Sequence, residues 1–262
     1  MSAPIGVFDS GLGGLTVVRS LLDLVPGEPV LYFGDSGRFP YGPKPREEVL
    51  KYALEIGDLL VDRGARAVVV ACNSAAAAAL DILADRLPVP VIGVIEPGLR
   101  AARRATESRR IGVIGTVGTI ASGTYQRVAT RLDPTLALTC AACPGFVEFV
   151  EGGDVESDQV HVLAERLLAP LRAAAVDTLV LGCTHYPLLA RTIGDVMGRG
   201  VVLVSSADET AFEVRRQLGT GGSDAVGARP RFVTSGDPAQ FRRLGARFLG
   251  PEVDIVEAWS WS

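Results

Sequence analysis

The sequence is poor in the residues that several classes of protein require. Its 26 Lys and Arg residues are outnumbered by 30 Asp and Glu residues, which gives a net charge of −4. The chain therefore lacks the basic surface typical of nucleic-acid-binding proteins. Only four of its 262 residues are cysteines, too few for a disulfide framework and typical of reduced thiols in the cytoplasm. An anionic small substrate is compatible with this charge, because local donors rather than net charge would bind it.

Long apolar runs are also missing. The most apolar window, roughly residues 67–80, contains Cys72, Asn73 and Ser74 and is too short to span a bilayer. The segment Met1–Ile5 carries neither the basic region nor the long apolar region of a secretory signal. We therefore expect a cytoplasmic protein with no nucleic-acid or membrane partner.

Short β-branched runs alternate with longer amphipathic stretches, which predicts βαβ units and parallel sheets. Most runs are continuously apolar, as expected of parallel strands that are buried on both faces. Apolar residues at helical spacing predict helices over Arg46–Arg63 and Gln159–Ala174. The predicted strands are Ile5–Phe8, Val30–Phe33, Ala67–Ala71, Val91–Val94, Ile111–Ile114, Leu136–Thr139, Thr178–Leu181, Val201–Val204, Arg231–Thr234 and Val253–Val256.

The chain repeats itself weakly but in constant order. Ile5–Gly11 resembles Ile111–Val117, and Cys72 and Cys183 occupy matching places. This predicts an α/β protein of two similar lobes with mainly parallel sheets, related by a pseudo-two-fold axis. The active site is expected in the cleft between them, because ligands of open α/β sheets bind outside the carboxyl ends of the strands. We assign residues 1–97 and 209–262 to the first lobe and 98–208 to the second, and the Thr/Gly/Ser/Asp cluster at 219–227 predicts an exposed loop.

The matched thiols are the most informative feature. Cys72 and Cys183 each end an apolar run and precede a predicted helix N-terminus, where the helix dipole lowers a thiol pKa and also favours carboxylates. A single cysteine fits equally well in a core as a small apolar residue. Two thiols on matching elements indicate a pair of acid/base groups that face one substrate from opposite sides. A redox disulfide stays open at this point, because the sequence does not measure the distance between the sulfurs.

Other polar positions support a small-molecule site without a metal. Cys140 and Cys143 form a C-x-x-C with no second pair, half a zinc site at best, so we interpret both as structural. The turn at Asp9–Gly14 lacks the lysine and the spacing of phosphate loops. We interpret it as a tight turn in which Asp9 assists catalysis and Ser10 approaches the ligand. The alternative is that Asp9 or Ser10 caps the following helix.

One histidine and one acid complete the candidates. His185, one of two histidines, lies two residues after Cys183 and could share its proton; the alternative is a buried histidine that hydrogen-bonds backbone. His161 lies between polar residues and is expected at the surface. Glu151 precedes a glycine turn and is either an acid near the cleft or a helix end.

Several segments form a pattern that no one of them would establish alone: Phe8–Thr16, Phe39–Gly42, Ala71–Ala75, Gly93–Pro97, Gly182–Pro187 and Phe232–Pro238. Together they resemble the glutamate racemases, cofactor-independent enzymes of the aspartate/glutamate racemase superfamily. The resemblance extends from Ile5 to Phe248. Ser74 departs from it, standing where the family often has Thr, and Ala76 replaces a common small polar residue.

The resemblance implies a cofactor-independent interconversion of L- and D-glutamate for peptidoglycan synthesis. Cys72 would take the α-proton of D-glutamate, assisted by Asp9. Cys183 would take that of L-glutamate, assisted by His185, with Glu151 nearby. The family often forms dimers, so a homodimer is expected. The implied substrate contacts are Asp9, Ser10, Tyr41, Gly42, Asn73, Ser74, Thr184 and His185.

Two other interpretations remain. The first is a different reaction of the same superfamily: racemisation of aspartate or hydantoin, or decarboxylation or isomerisation with one thiol. The presence of both thiols argues against one-thiol chemistry. The second is a thiol-redox or anion-binding module without turnover, which would form a Cys72–Cys183 disulfide and exchange no solvent hydrogen into amino acids.

Overall fold

The computed structural model describes residues 3–219 and 229–261. Of the loop predicted at 219–227, all but Gly219 lies outside the described residues. The chain divides into two compact units, Met1–Val94 with Ala207–Ser262 and Ile95–Ser206. In chain order the described strands are β1 (Ile5–Asp9), β2 (Val30–Gly34), β3 (Ala67–Val70), β4 (Val91–Gly93), β5 (Arg110–Gly115), β6 (Ala137–Ala142), β7 (Thr178–Gly182), β8 (Val202–Ser205), β9 (Arg231–Thr234) and β10 (Val256–Ala258).

Each unit contains one sheet, and every strand pair in the described residues is parallel. The first unit has the strand order β10-β9-β2-β1-β3-β4, and the second has β6-β5-β7-β8. Matching β1–β4 with β5–β8 gives the same order in both sheets, so the α/β class and the internal repeat predicted from the sequence are confirmed. The first sheet differs by the added strands β9 and β10.

Helices separate the strands along the chain, as βαβ connections require. Three short 3-10 helices, at Ser36–Arg38, Tyr186–Leu189 and Gly250–Glu252, accompany them in the described residues. The α-helices are α1 (Leu15–Leu24), α2 (Arg46–Asp62), α3 (Asn73–Arg86), α4 (Ile95–Ala105), α5 (Val117–Ala121), α6 (Thr124–Leu132), α7 (Phe146–Gly152), α8 (Asp158–Ala173), α9 (Ala190–Met197), α10 (Ser206–Leu218) and α11 (Pro238–Leu249).

The predicted apolar stripes are the buried faces of the helices. α2 buries Val49, Ala53, Ile56 and Leu60, the i, i+4, i+7, i+11 spacing of one helix face. The N-terminus of α8 is capped by Ser157, whose hydroxyl accepts the Val160 amide. In residues 3–219 and 229–261, none of the helices combines the length and apolarity needed to cross a membrane.

The strands differ in burial. β1, β2 and β7 are buried at every position, which is why they read as continuous apolar runs rather than alternating ones. The predicted strand at Val253–Val256 is wrong in its bounds, since pairing begins only at Val256. Val253 is apolar for another reason: it is buried next to Gly245 of α11.

Asp177, just before β7, joins the start of this strand to the segment that precedes β5. Its carboxylate accepts the Thr106 hydroxyl at 2.5 Å and the amides of Glu107 and Ser108 at 2.9 and 2.6 Å. Burial disfavours ionisation, but these hydrogen bonds outweigh it and hold the pKa of Asp177 well below its usual range. The ionised carboxylate therefore stabilises the second unit.

We expect Asp177→Asn to lower the free energy of unfolding at pH 7 by about 1–2 kcal/mol, because the amide accepts fewer hydrogen bonds than the carboxylate. The folded pKa is depressed, so this stabilisation is present above the unfolded pKa of about 3.9 and is lost as the pH falls below it. Urea unfolding of both proteins at pH 7 and in acid should show the difference closing in acid.

The matched control is Asp195→Asn, at an exposed position of α9 in the same unit. It should change stability by less than about 0.5 kcal/mol. A pH-independent difference between Asp177→Asn and the parent would contradict the assigned role of the ionised carboxylate.

Candidate active site

The carboxyl ends of β1 and β3 bring a carboxylate, a hydroxyl and a thiol to one edge of the first sheet. Asp9 is the last residue of β1, and Cys72 lies two residues after β3. The Sγ of Cys72 lies 3.7 Å from the Oγ of Ser10. All three side chains are buried, and the parallel pairing of β1 with β3 explains why they meet.

The turn after β1 holds Asp9 in one orientation. The Gly11 amide donates to Asp9 Oδ1 at 2.9 Å, and the Tyr32 hydroxyl donates to the Gly11 carbonyl at 2.8 Å. A side chain at Gly14 would place its Cβ 2.6 Å from the Asp9 Cβ, so the helix start can approach the carboxylate only without one. Gly14 is also the N-cap of α1, so the alternative that Asp9 or Ser10 caps this helix is wrong.

The helix predicted after Cys72 is confirmed. Cys72 is the N-cap of the 14-residue helix α3, so the positive end of the helix dipole lies at the thiol, where negative charge is favoured. Asn73 and Ser74 form its first turn and are buried. The next five residues, Ala75–Ala79, are buried alanines.

Tyr41 and Gly42 are both buried, in the segment that leads to α2. The Tyr41 hydroxyl donates to Oδ2 of Asp35, a completely buried carboxylate. Burial, followed by the charge of Asp35, raises the pKa of Tyr41 far above its usual value, so the phenol stays protonated. Asp35 was not predicted from the sequence as a site residue. It follows β2 directly, a position similar to those of Asp9 at the end of β1 and Cys72 shortly after β3.

The second unit places Cys183 directly after β7, buried together with Thr184 and His185. The following helical segment begins with the 3-10 turn Tyr186–Leu189 and continues as α9. A 3-10 first turn is common at helix N-termini. The thiol is thus farther along the chain from the α-helix in this unit than Cys72 is from α3.

Those neighbours form a chain of three groups. Nδ1 of His185 lies 3.9 Å from the Cys183 Sγ, and Nε2 lies 2.7 Å from Oε1 of Glu151 on α7. When the carboxylate accepts the Nε2 hydrogen, the neutral ring presents the Nδ1 lone pair towards the thiol; this tautomer follows from the hydrogen bonds. Both ring nitrogens of His185 thus have side-chain neighbours, and the Glu151 carboxylate lies at the imidazole rather than only at a helix end.

The remaining cysteines fit the structural interpretation. Cys140 lies within β6 and Cys143 follows this strand. Burial raises the pKa of Cys140 to about 11 and that of Cys143 to about 12, so both stay protonated near neutral pH. In the described part of the chain, no three His, Cys, Asp or Glu side chains are grouped to hold a metal ion. The His161 side chain is 42% exposed, at the surface as predicted.

Two buried tyrosines near the second thiol were also missed. The Tyr186 hydroxyl donates to the Cys143 carbonyl at 3.1 Å, and a Cβ at Gly182 would lie 2.9 Å from the Tyr125 hydroxyl. Burial raises the pKa of both tyrosines, and the charge of Cys183 contributes to each shift. Aromatic residues on helices are usual in protein cores, so the sequence carried no signal for this placement.

Each unit thus offers a buried thiol beside a polar side chain, Ser10 in the first unit and His185 in the second. A family model described as Asp/Glu/Hydantoin racemase matches residues 5–214, which include every one of these positions. This chain belongs to that racemase family. It is accordingly an isomerase.

Individual relatives agree with this membership. A glutamate racemase of Beutenbergia cavernae is 54% identical, over 97% of this chain and 92% of the relative. The crystal structure of a glutamate racemase isoform from Bacillus anthracis is 41% identical with a TM-score of 0.91, covering 99% of this chain and 97% of that one. The glutamate racemase of Francisella tularensis, solved in complex with D-glutamate, is 32% identical with a TM-score of 0.91, covering 98% and 97%.

We expect Gly14→Ala to destabilise the racemase by about 1–3 kcal/mol, the usual cost of overpacking. The new methyl group would lie 2.6 Å from the Asp9 Cβ and 2.9 Å from the Tyr32 hydroxyl, so Asp9 must move. Urea unfolding measures the loss. Gly200→Ala is the control, because a Cβ there meets nothing within 4 Å; equal stabilities of the two variants would show that Gly14 does not confine Asp9.

Proposed function

We propose that this racemase interconverts L- and D-glutamate with two thiols, Cys72 and Cys183, without a cofactor, and supplies D-glutamate for peptidoglycan synthesis. The observation that carries the proposal is the Cys183–His185–Glu151 chain, in which an oriented imidazole faces a buried thiol. A second buried thiol, Cys72, follows the strand that has the matching place in the other sheet.

The repeat suits a reaction that needs the same chemistry twice. Inverting an α-carbon requires that a proton leaves one face and another proton arrives at the opposite face. β3 and β7 hold equivalent places in the two strand orders, and each is followed by a thiol. We propose that the two thiols address opposite faces of one substrate molecule.

In the direction from L- to D-glutamate, the Cys183 thiolate removes the α-proton and the Cys72 thiol donates its proton to the other face. The turnover leaves Cys183 protonated and Cys72 ionised, which is the state that D-glutamate requires. His185 accepts the Cys183 proton at Nδ1 when the thiolate forms, and Glu151 stabilises the resulting imidazolium. At the other thiol, Asp9 together with Ser10 assists the proton transfer of Cys72.

The α-proton of an amino-acid carboxylate is very weakly acidic, so charge that develops on the carboxylate must be stabilised. Asn73 and Ser74 are buried at the N-terminus of α3, and Thr184 is buried next to Cys183. Preorganised donors in a dry site stabilise such charge better than water does. Tyr41 and Gly42 complete the proposed contacts.

Glutamate is proposed as the substrate because relatives with 32–54% identity are glutamate racemases, one of them in complex with D-glutamate. The family description also includes aspartate and hydantoin, and aspartate is the first alternative to test. A cytoplasmic location and a homodimer belong to the same proposal.

The decisive test is incubation with L-glutamate in deuterated water without added cofactor. We expect the optical signal, measured by circular dichroism, to decay while one deuterium, detected by mass spectrometry, enters the α-carbon. Cys72→Ser and Cys183→Ser should each lower the rate by about 10²–10⁴-fold, the usual contribution of a positioned acid or base.

Cys140→Ser makes the same chemical change at a thiol outside the proposed site, and it should keep the parental rate. Racemisation by Cys183→Ser at the parental rate would contradict the two-thiol mechanism. Glutamate that remains optically intact and free of deuterium with the parent would contradict the proposed substrate.

The His185 chain predicts unequal effects in the two directions. His185→Asn should lower kcat for L-glutamate by about 10–100-fold, and kcat for D-glutamate less. The enantiomers have equal free energies, so kcat/KM must change equally in both directions and KM must compensate. Glu151→Gln should act in the same sense, and Glu148→Gln, exposed on the same helix, is its control. Equal losses of both kcat values would remove the assignment to Cys183.

A further inference from the structure

Asp35, at the end of β2, gathers side chains from distant parts of the first unit. Its Oδ1 accepts the Ser235 hydroxyl at 2.6 Å and the Trp261 indole N–H at 3.1 Å. Its Oδ2 accepts Nε of Arg38 at 2.7 Å and the Tyr41 hydroxyl. The carboxylate is completely buried, and each oxygen has two donors.

Arg38 lies between two aromatic rings. Its guanidinium carbon is 3.9 Å from the centre of the Tyr52 ring and 3.9 Å from that of the Trp261 ring. The same guanidinium pairs with Glu55 of α2 at 2.5 Å. Stacking and ion pairing together fix the cation, and with it the second oxygen of Asp35.

The two donors to Asp35 Oδ1 follow β9 and β10, the strands that the first sheet has in addition to the shared four. Ser235 directly follows β9, Trp261 lies three residues after β10, and β9 pairs with β2. Within the described residues, the second sheet has no strand beyond β6. The two added strands thus deliver Ser235 and Trp261 to a carboxylate that binds Tyr41.

We propose that Trp261, with Ser235 and Arg38, positions Tyr41 for substrate by fixing the orientation of Asp35. The donors on Oδ1 prevent rotation of the carboxylate, so that Oδ2 keeps accepting the Tyr41 hydroxyl. This inference rests on the proposed function for the role of Tyr41 as a substrate contact. Trp261 is a positioning residue here, since its indole N–H contacts Asp35 and not the reacting atoms.

The two tryptophans of the chain provide a matched pair of variants. Trp261→Phe keeps an aromatic ring beside Arg38 but loses the hydrogen bond to Asp35. Trp259→Phe also loses an indole N–H, but this one has no hydrogen-bond partner in the described structure. The Trp259 ring lies over Arg63 instead of Arg38.

We expect Trp261→Phe to raise KM for both enantiomers by about threefold to tenfold, the range of one lost hydrogen bond, with kcat within about twofold of the parent. Such a pattern marks a contact made equally in the ground and transition states. Trp259→Phe should leave both constants unchanged. Tyr41→Phe should raise KM similarly, and the double variant Tyr41→Phe/Trp261→Phe no further, because both act through one link.

An unchanged KM in Trp261→Phe overturns the proposal, even if its unfolding temperature falls, and so do additive effects on KM in the double variant. Failure of the proposed function is seen separately, as absence of racemisation by the parent. In that case urea unfolding of the parent, Trp261→Phe, Tyr41→Phe and the double variant decides whether Trp261 and Tyr41 are linked. Non-additive losses of unfolding free energy support the link, and additive losses overturn it.

Discussion

Parallel pairing of the strands is the constraint on which the arrangement of polar residues depends. In a parallel sheet all carboxyl ends lie at the same edge, so the residue that follows each strand is brought next to those that follow its neighbours. Ser10, which follows β1, and Cys72, which follows β3, meet in this way in the first unit. Cys183 ends a strand of the second unit under the same rule.

The two thiols nevertheless have different partners. In the first unit the group at the end of the central strand is a carboxylate, Asp9, bound to a backbone amide. In the second unit the corresponding strand β5 ends in Gly115, and the side chain beside the thiol is His185, which also contacts Glu151. A duplicated fold has thus kept the thiol and changed the group beside it.

The sequence predicted the elements that are buried on both sides, and the reason is physical. β1, β2 and β7 are buried at every position and contain only two polar residues, Asp9 and Thr178, so their bounds were predicted within one residue. β10 was misplaced because Val253 is apolar for its contact with α11 rather than for strand pairing. Of the candidate site, the thiols were evident because they follow apolar runs in matching places of the repeat, and His185 was evident because it lies two residues after Cys183. Asp35 was not, because its partners Ser235 and Trp261 are separated from it by 200 and 226 positions.

The five buried alanines of α3, which follow Asn73 and Ser74, have an entropic consequence. Alanine has no rotamers to lose, whereas ordering a long side chain costs about 1.5–2 kcal/mol. These five alanines therefore have no side-chain entropy to lose, and the shape of this part of α3 is set by the backbone alone.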